Sequence, residues 1–158
     1  MSNKDVVFAL VTFLHDLFTA IWIGGLLTLT LSVVPAAKSS MGMGPQTKAL
    51  LQAIQDRMSR LVYVSIAGLI VTGLLQANQN DAFTGLFSAG NDYSLVLALK
   101  HVLVIAMVLI TLIRSLGLKK WNLAVPAKEK LSARLLVTNL ALGVGVLLLS
   151  GVSAALAS

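Results

Sequence analysis

Four long apolar runs, separated by short polar connections, constrain this 158-residue chain more than any other feature. They lie at about residues 6–34, 58–77, 93–113 and 135–156. Each is long enough to cross a hydrocarbon core, which takes about 20 helical residues. Only 11% of the residues are charged and the mean hydropathy is +0.89, whereas about 25% of a soluble domain is charged. The pattern predicts an all-α integral membrane four-helix bundle that forms a single domain over residues 1–158, with Pro35 ending the first helix.

The basic residues predict how these helices are oriented. Ten of the twelve Lys and Arg residues lie in or beside the first and third connections, and none lies in the second, residues 76–92. Basic residues concentrate on the cytoplasmic side of membrane proteins. We therefore predict an up-down topology with both termini on the outer, periplasmic or extracellular, side. The net charge of +6 then reflects orientation and attraction to anionic headgroups, and nucleic acid is not a predicted partner.

The composition also limits the available chemistry. The chain has no Cys, which excludes disulfides, iron–sulfur clusters and thiolate metal sites, so a metal would need His, Met, carboxylate or amine ligands. Phosphate-binding loops, dinucleotide fingerprints and the common hydrolase motifs are absent from the sequence. Between Gln46 and Leu61, apolar residues recur at helical spacing, which predicts an amphipathic extension of the second helix.

A small set of polar residues interrupts the apolar runs. A charge at the bilayer centre costs about 2.5 to 3.5 kcal/mol on insertion scales, so each such residue is a functional hypothesis. The candidates are His15, Asp16, Lys100, His101 and Asn139.

The two histidines are predicted to share a depth. Each lies eight or nine residues below the outer end of its predicted helix, or about 12 to 14 Å at the rise of an α-helix. Helices one and three of an up-down bundle are diagonal neighbours, about 11 to 14 Å apart. That separation suits two imidazoles that ligate one haem iron from opposite faces. We therefore predict a b-type haem held by His15 and His101 in the outer half of the bilayer, with Trp22 and Gly25 lining its pocket.

The neighbouring polar residues leave alternatives open. Asp16 and Lys100 could neutralise each other or orient the imidazoles, and Lys100 could instead receive a haem propionate or ligate the metal. Asn139 is a further supporting candidate. The same residues could also form a hydrogen-bonded cluster that only fixes helix packing.

A family resemblance appears at these residues. The stretches HDLFTAIWIGG from His15, LKH from Leu99 and RLLVTNLALGVG from Arg134 resemble the membrane region of the copper resistance D (CopD) family. This resemblance implies copper transport or homeostasis in a prokaryotic plasma (inner) membrane. The chain more distantly resembles the HemJ-type protoporphyrinogen oxidases, four-helix proteins that hold haem b with a histidine on helix one and a lysine on helix three. By that comparison, His15 and Lys100 are the matching positions.

Three functions follow as hypotheses. The first is a haem-binding membrane protein for electron transfer or redox chemistry. The second is a copper transport or homeostasis protein that uses His15 and His101 as metal ligands. The third is a structural accessory subunit of a larger membrane complex. The lipid bilayer is the predicted partner in each case, with a homo-oligomer or a larger complex as further candidates. The sequence assigns no catalytic residue and leaves open whether the protein is an enzyme.

Overall fold

The computed structural model describes residues 2–77, 92–122 and 124–156. Over these ranges the backbone is almost entirely helical and contains no β-strand. Four helices are long and apolar enough to cross a membrane: α1 (Asn3–Met41), α2 (Pro45–Gln76, continuing to Ala77), α3 (Asp92–Gly117) and α4 (Val125–Leu156). The all-α class and the four membrane-length helices predicted from the sequence are thus confirmed for the described residues. Most of the second connection lies outside them.

The chain divides into two compact units, Met1–Gln79 and Asn80–Ser158. Unit 1 contains α1 and α2, and unit 2 contains α3 and α4. Within each unit, contacts pair residues early in one helix with residues late in the other, so each unit is an antiparallel helix pair.

Both ends of α1 are set by local hydrogen bonds. At the start, the Asp5 carboxylate accepts from the Ser2 backbone N–H at 2.7 Å, and the Ser2 hydroxyl accepts from the Lys4 N–H at 3.3 Å. This capping arrangement satisfies donors that the first turn leaves unpaired. At the other end, Gly42 has a φ of +67° and its N–H donates to the Lys38 carbonyl at 3.0 Å. Glycine favours this left-handed conformation, and the helix ends there.

Pro35 does not end α1, and that prediction was wrong. The helix continues to Met41, with Pro35 as the second residue of the α-helical segment Val34–Met41. A π-helical turn, Leu29–Val33, comes directly before this segment. Proline lacks an N–H and crowds the carbonyl four residues earlier in a regular helix. The wider turn relieves that conflict, so the chain stays helical through the proline.

The other helices also extend beyond the predicted apolar runs. The helix α2 begins at Pro45 and α4 at Val125, so the predicted helical extension before residue 58 is confirmed as helix. Hydropathy identifies only the stretch that is apolar enough for lipid, whereas the backbone hydrogen bonds continue into polar sequence. In α3, a π-helical turn at Ile113–Gly117 carries the helix past its predicted end.

Close packing in unit 1 depends on two glycines. A Cβ atom added at Gly68 of α2 would overlap the ring of Phe18 on α1, and one at Gly25 of α1 would overlap the terminal methyl of Met58 on α2. The absence of these Cβ atoms lets the larger side chains lie against the opposite backbone, as is common between membrane helices.

Unit 2 also packs closely at a glycine, and it has one additional polar contact between its helices. A Cβ atom added at Gly145 of α4 would lie 3.3 Å from Leu103 on α3. Further along the pair, Met107 is only 1% exposed. Beyond it, the Asn139 amide meets the Thr111 hydroxyl at 3.1 Å.

Candidate functional site

The His15 imidazole is fixed by a hydrogen bond across unit 1. Its Nδ1 lies 2.9 Å from the Thr72 Oγ1 on α2. The Thr72 hydroxyl donates its hydrogen to the Gly68 carbonyl at 2.7 Å. A hydroxyl carries one hydrogen, so when Thr72 donates to Gly68 it accepts from the imidazole, and this hydrogen-bond pattern assigns the proton to the His15 Nδ1. In the neutral ring, Nε2 is then the nitrogen with the lone pair.

The His101 imidazole is also protonated at Nδ1, through a contact within its own helix. Its Nδ1 lies 2.7 Å from the backbone carbonyl of Leu97, one turn earlier on α3. A carbonyl oxygen only accepts hydrogen bonds, so the His101 Nδ1 is also the protonated nitrogen. The two histidines therefore share one tautomer. His101 is held by the main chain directly, and His15 is held by a hydroxyl that is itself bound to the main chain.

This arrangement suits ligation through Nε2. Histidines that bind a metal usually donate the other ring N–H to a carbonyl or a similar acceptor, which fixes the tautomer and the ring orientation and increases ligand basicity. Both side chains are half-buried. Each unit therefore contains one oriented imidazole whose basic nitrogen is Nε2.

The charged candidates beside the histidines differ in exposure. Lys100 is half-buried, and Asp16 is exposed. Consecutive residues of a helix are rotated by about 100°, so neither charged group shares a direction with the neighbouring imidazole. Their predicted roles in orienting the rings stay predictions.

Trp22 and Gly25 lie further along α1, seven and ten residues beyond His15. The π-helical turn Ala20–Gly24 contains Trp22, which is only 2% exposed. Within residues 2–77, 92–122 and 124–156, its buried indole N–H has no acceptor. Gly25 accommodates the Met58 side chain within unit 1. The structure thus gives Gly25 a packing role, and its predicted contact with a cofactor stays a prediction.

Asn139 is buried in the middle of α4 and is 2% exposed. Its Nδ2 donates to the Thr111 Oγ1 at 3.1 Å, and its Oδ1 has no partner among the described residues. If the amide were reversed, the oxygen would face Thr111 and the nitrogen would lack a partner instead. One polar atom of Asn139 is therefore unpaired in either orientation.

Sequence reasoning missed the hydrogen-bond partners of these candidates. On α2, Thr72 binds His15, and Gln76 donates from its Nε2 to the Thr12 Oγ1 at 3.3 Å. The signal was the spacing: Thr72 and Gln76 are four residues apart, and Thr12 and His15 are three apart, which places each pair on one helix face. Two polar pairs in apolar helices were enough to predict that these faces meet.

No family model, curated protein or solved structure matches the chain. Nor do three or more His, Cys, Asp or Glu side chains gather into a potential metal site within the described ranges. The structure itself defines a helical chain with four helices of membrane-spanning length and composition. Such a chain is suited to contact with a lipid bilayer.

Proposed function

We propose that this protein is an integral membrane haem protein in which His15 and His101 would hold a b-type haem that supplies electron-transfer chemistry. The observation that supports it best is the shared tautomer. The Nδ1–H of His15 donates to a hydroxyl that is itself bound to a backbone carbonyl, and the Nδ1–H of His101 donates to a backbone carbonyl directly. Nε2 is therefore the basic nitrogen of both rings. Histidines that ligate a metal usually have this arrangement.

The positions of the histidines along their helices also support the proposal. His15 lies twelve residues beyond Asn3, and His101 lies nine residues beyond Asp92. These offsets correspond to about 18 Å and about 14 Å of helix. In the topology that we propose from the basic residues, α1 and α3 both begin on the outer side of a prokaryotic plasma membrane. In that topology each ring lies roughly 14 to 18 Å from the outer end of its own helix.

The remaining candidates have supporting roles in this proposal. Lys100 supplies a positive charge for a haem propionate, and Asp16 is the charged residue next to His15 on α1. Trp22 contributes a buried aromatic wall two turns below His15. Asn139 holds α3 and α4 together through Thr111.

An absorption spectrum of the detergent-purified protein tests the proposal. We expect a Soret band and, after reduction, sharp α and β bands. His15→Ala and His101→Ala should each weaken or abolish them, and added imidazole should restore part of the signal. Thr12→Val is the matched control, because it removes a hydrogen bond one turn from His15 in the same helix pair. Its spectrum should equal that of the unmodified protein.

Three results would contradict the haem proposal. A colourless protein with stoichiometric copper by elemental analysis would instead support a copper-handling protein. A protein with neither haem nor copper after supplementation with both would support a structural subunit. A haem spectrum that persists unchanged in both histidine variants would show that other residues hold the group.

A further inference from the structure

Arg114 is a half-buried cation without an anionic partner in the part of the chain that the structure describes. It lies in the π-helical turn Ile113–Gly117 at the end of α3. Its Nε donates to the Ser132 Oγ on α4 at 3.4 Å, which is long for a hydrogen bond. Ser132 is neutral, so this contact leaves the charge of the guanidinium uncompensated.

A half-buried arginine without an ion pair is stabilised when it binds an anion. The guanidinium has five N–H donors in a planar fork that matches the oxygens of a carboxylate or a phosphate. Burying a charge is costly unless it is paired and hydrogen-bonded. The acidic residue of α4, Glu129, lies one turn before Ser132 and is exposed. No described carboxylate forms an ion pair with Arg114.

The position of Arg114 along α3 identifies the source of such an anion. It lies 22 residues beyond Asp92, the first residue of α3, or about 33 Å along the helix. The hydrocarbon core is about 30 Å thick, so Arg114 is at the level of the headgroups when α3 spans the bilayer. Trp121 follows this turn and is 48% exposed, as is typical of aromatic residues at the membrane interface.

We propose that Arg114 binds the phosphate of an anionic phospholipid at the Gly117 end of α3. Ser132 positions the guanidinium by accepting from Nε, so that the other nitrogens face the phosphate oxygens. Lys120, six residues further along the chain, is exposed and adds positive charge beyond the same end of the helix. This site involves neither histidine and does not depend on the proposed haem.

Thermal unfolding of the full chain in an uncharged detergent tests the proposal. The protein is titrated with phosphatidylglycerol, phosphatidylcholine or inorganic phosphate, because a ligand that binds the folded state raises the unfolding midpoint. We expect phosphatidylglycerol to raise the midpoint and the other two to have little effect at equal concentration. Arg114→Gln should weaken the apparent affinity for phosphatidylglycerol about tenfold or more, because a charged hydrogen-bonding group is lost.

Arg134→Gln is the matched control. Arg134 is exposed on α4, two residues beyond Ser132, and its replacement removes the same charge. General attraction to an anionic surface is worth about 1 kcal/mol per basic residue, or roughly fivefold in affinity. Equal losses in the two variants would overturn the proposal, because binding would then depend on charge alone. Inorganic phosphate as effective as phosphatidylglycerol would overturn the assignment to lipid.

A second measurement uses the unmodified protein and is independent of how the variants fold. Phenylglyoxal modifies accessible arginines, and peptide mapping by mass spectrometry reports each site. Phosphatidylglycerol should slow the modification of Arg114 more than that of Arg134, whereas phosphatidylcholine should slow neither. Equal protection of both arginines would contradict a specific site at Arg114.

Discussion

The His15 Nδ1 lies 2.9 Å from the Thr72 Oγ1, and this contact joins the two helices of unit 1. The Thr72 hydroxyl also donates to the Gly68 carbonyl at 2.7 Å. One threonine therefore connects the imidazole of α1 to the backbone of α2, and the pattern of its two hydrogen bonds assigns the ring proton to Nδ1. Removing the hydroxyl changes both the stability of the pair and the chemistry of the ring.

Thr72→Val tests this connection in the protein without any cofactor. The change leaves the half-buried His15 N–H without its acceptor, which costs about 1 to 3 kcal/mol. We expect this decrease in the free energy of unfolding, measured in mixed micelles with sodium dodecyl sulfate. The ¹⁵N chemical shifts of the ring should also show loss of the Nδ1–H tautomer. Thr72→Ser keeps the hydroxyl and should retain the tautomer, and an unchanged tautomer in the valine variant would contradict the assignment.

Gly68→Ala tests the close approach of Phe18. The new Cβ would overlap the phenyl ring, and such overpacking costs about 1 to 3 kcal/mol. Gly24→Ala is the control, because among the described residues no atom other than those of its chain neighbours and the surrounding helix backbone lies within 4 Å of a Cβ added there. That variant should be neutral or more stable, since alanine is the better helix former by about 1 kcal/mol.

A second change tests whether Phe18 causes the loss. Phe18→Leu combined with Gly68→Ala should recover stability relative to the sum of the two single changes, because the residues are in contact. Additive effects in the double variant would contradict the proposed packing.

Thr111→Val and Asn139→Leu should differ, although each removes the same hydrogen bond. Thr111→Val leaves both polar atoms of the buried Asn139 amide unpaired, at a cost of about 1 to 3 kcal/mol. Asn139→Leu removes the amide, including its unpaired atom, and Thr111 can bond to its own helix backbone. We expect the asparagine variant to lose less than about 1 kcal/mol. Unfolding of both variants in mixed micelles measures the difference, and equal losses would contradict this account.

Cysteine labelling tests the proposed orientation. The chain contains no Cys, so Ser2→Cys and Ser40→Cys each introduce a single thiol at an exposed position. A maleimide that cannot cross membranes should label the cysteine at position 2 in right-side-out vesicles. The cysteine at position 40 should react only in inverted vesicles. The opposite pattern would show that the orientation inferred from Lys and Arg is reversed.

The sequence predicts the helices far better than their ends. An apolar run about 20 residues long is a property of composition, and few structures other than a helix satisfy the backbone of such a run in lipid. The ends depend instead on local hydrogen bonds, such as the contact between Gly42 and Lys38. The helix continues through Pro35 because a π-helical turn comes before it, and no residue type in that stretch predicts such a turn.

The sequence likewise predicts the polar candidates of the site but not their hydrogen-bond partners. His15, His101 and Asn139 are conspicuous because polar residues are rare in membrane helices. Their partners are harder to identify. Thr72 and Thr111 belong to a residue type that often binds its own helix backbone in membrane segments, so their partners in other parts of the fold follow only from the packing. Leu97 contributes a backbone carbonyl, and its side-chain type carries no information about that contact.

The two π-helical turns of α1 change which of its residues share a face of the helix. A π-helical turn inserts about one extra residue, which advances the angular position of later residues by about 100°. The turn at Ala20–Gly24 lies between His15 and Leu26, and a second lies at Leu29–Val33. A scan of side-chain accessibility along α1 should therefore show the period of an α-helix, with a shift in phase at each of the two turns. Residues on either side of a jump share a helix without sharing a face.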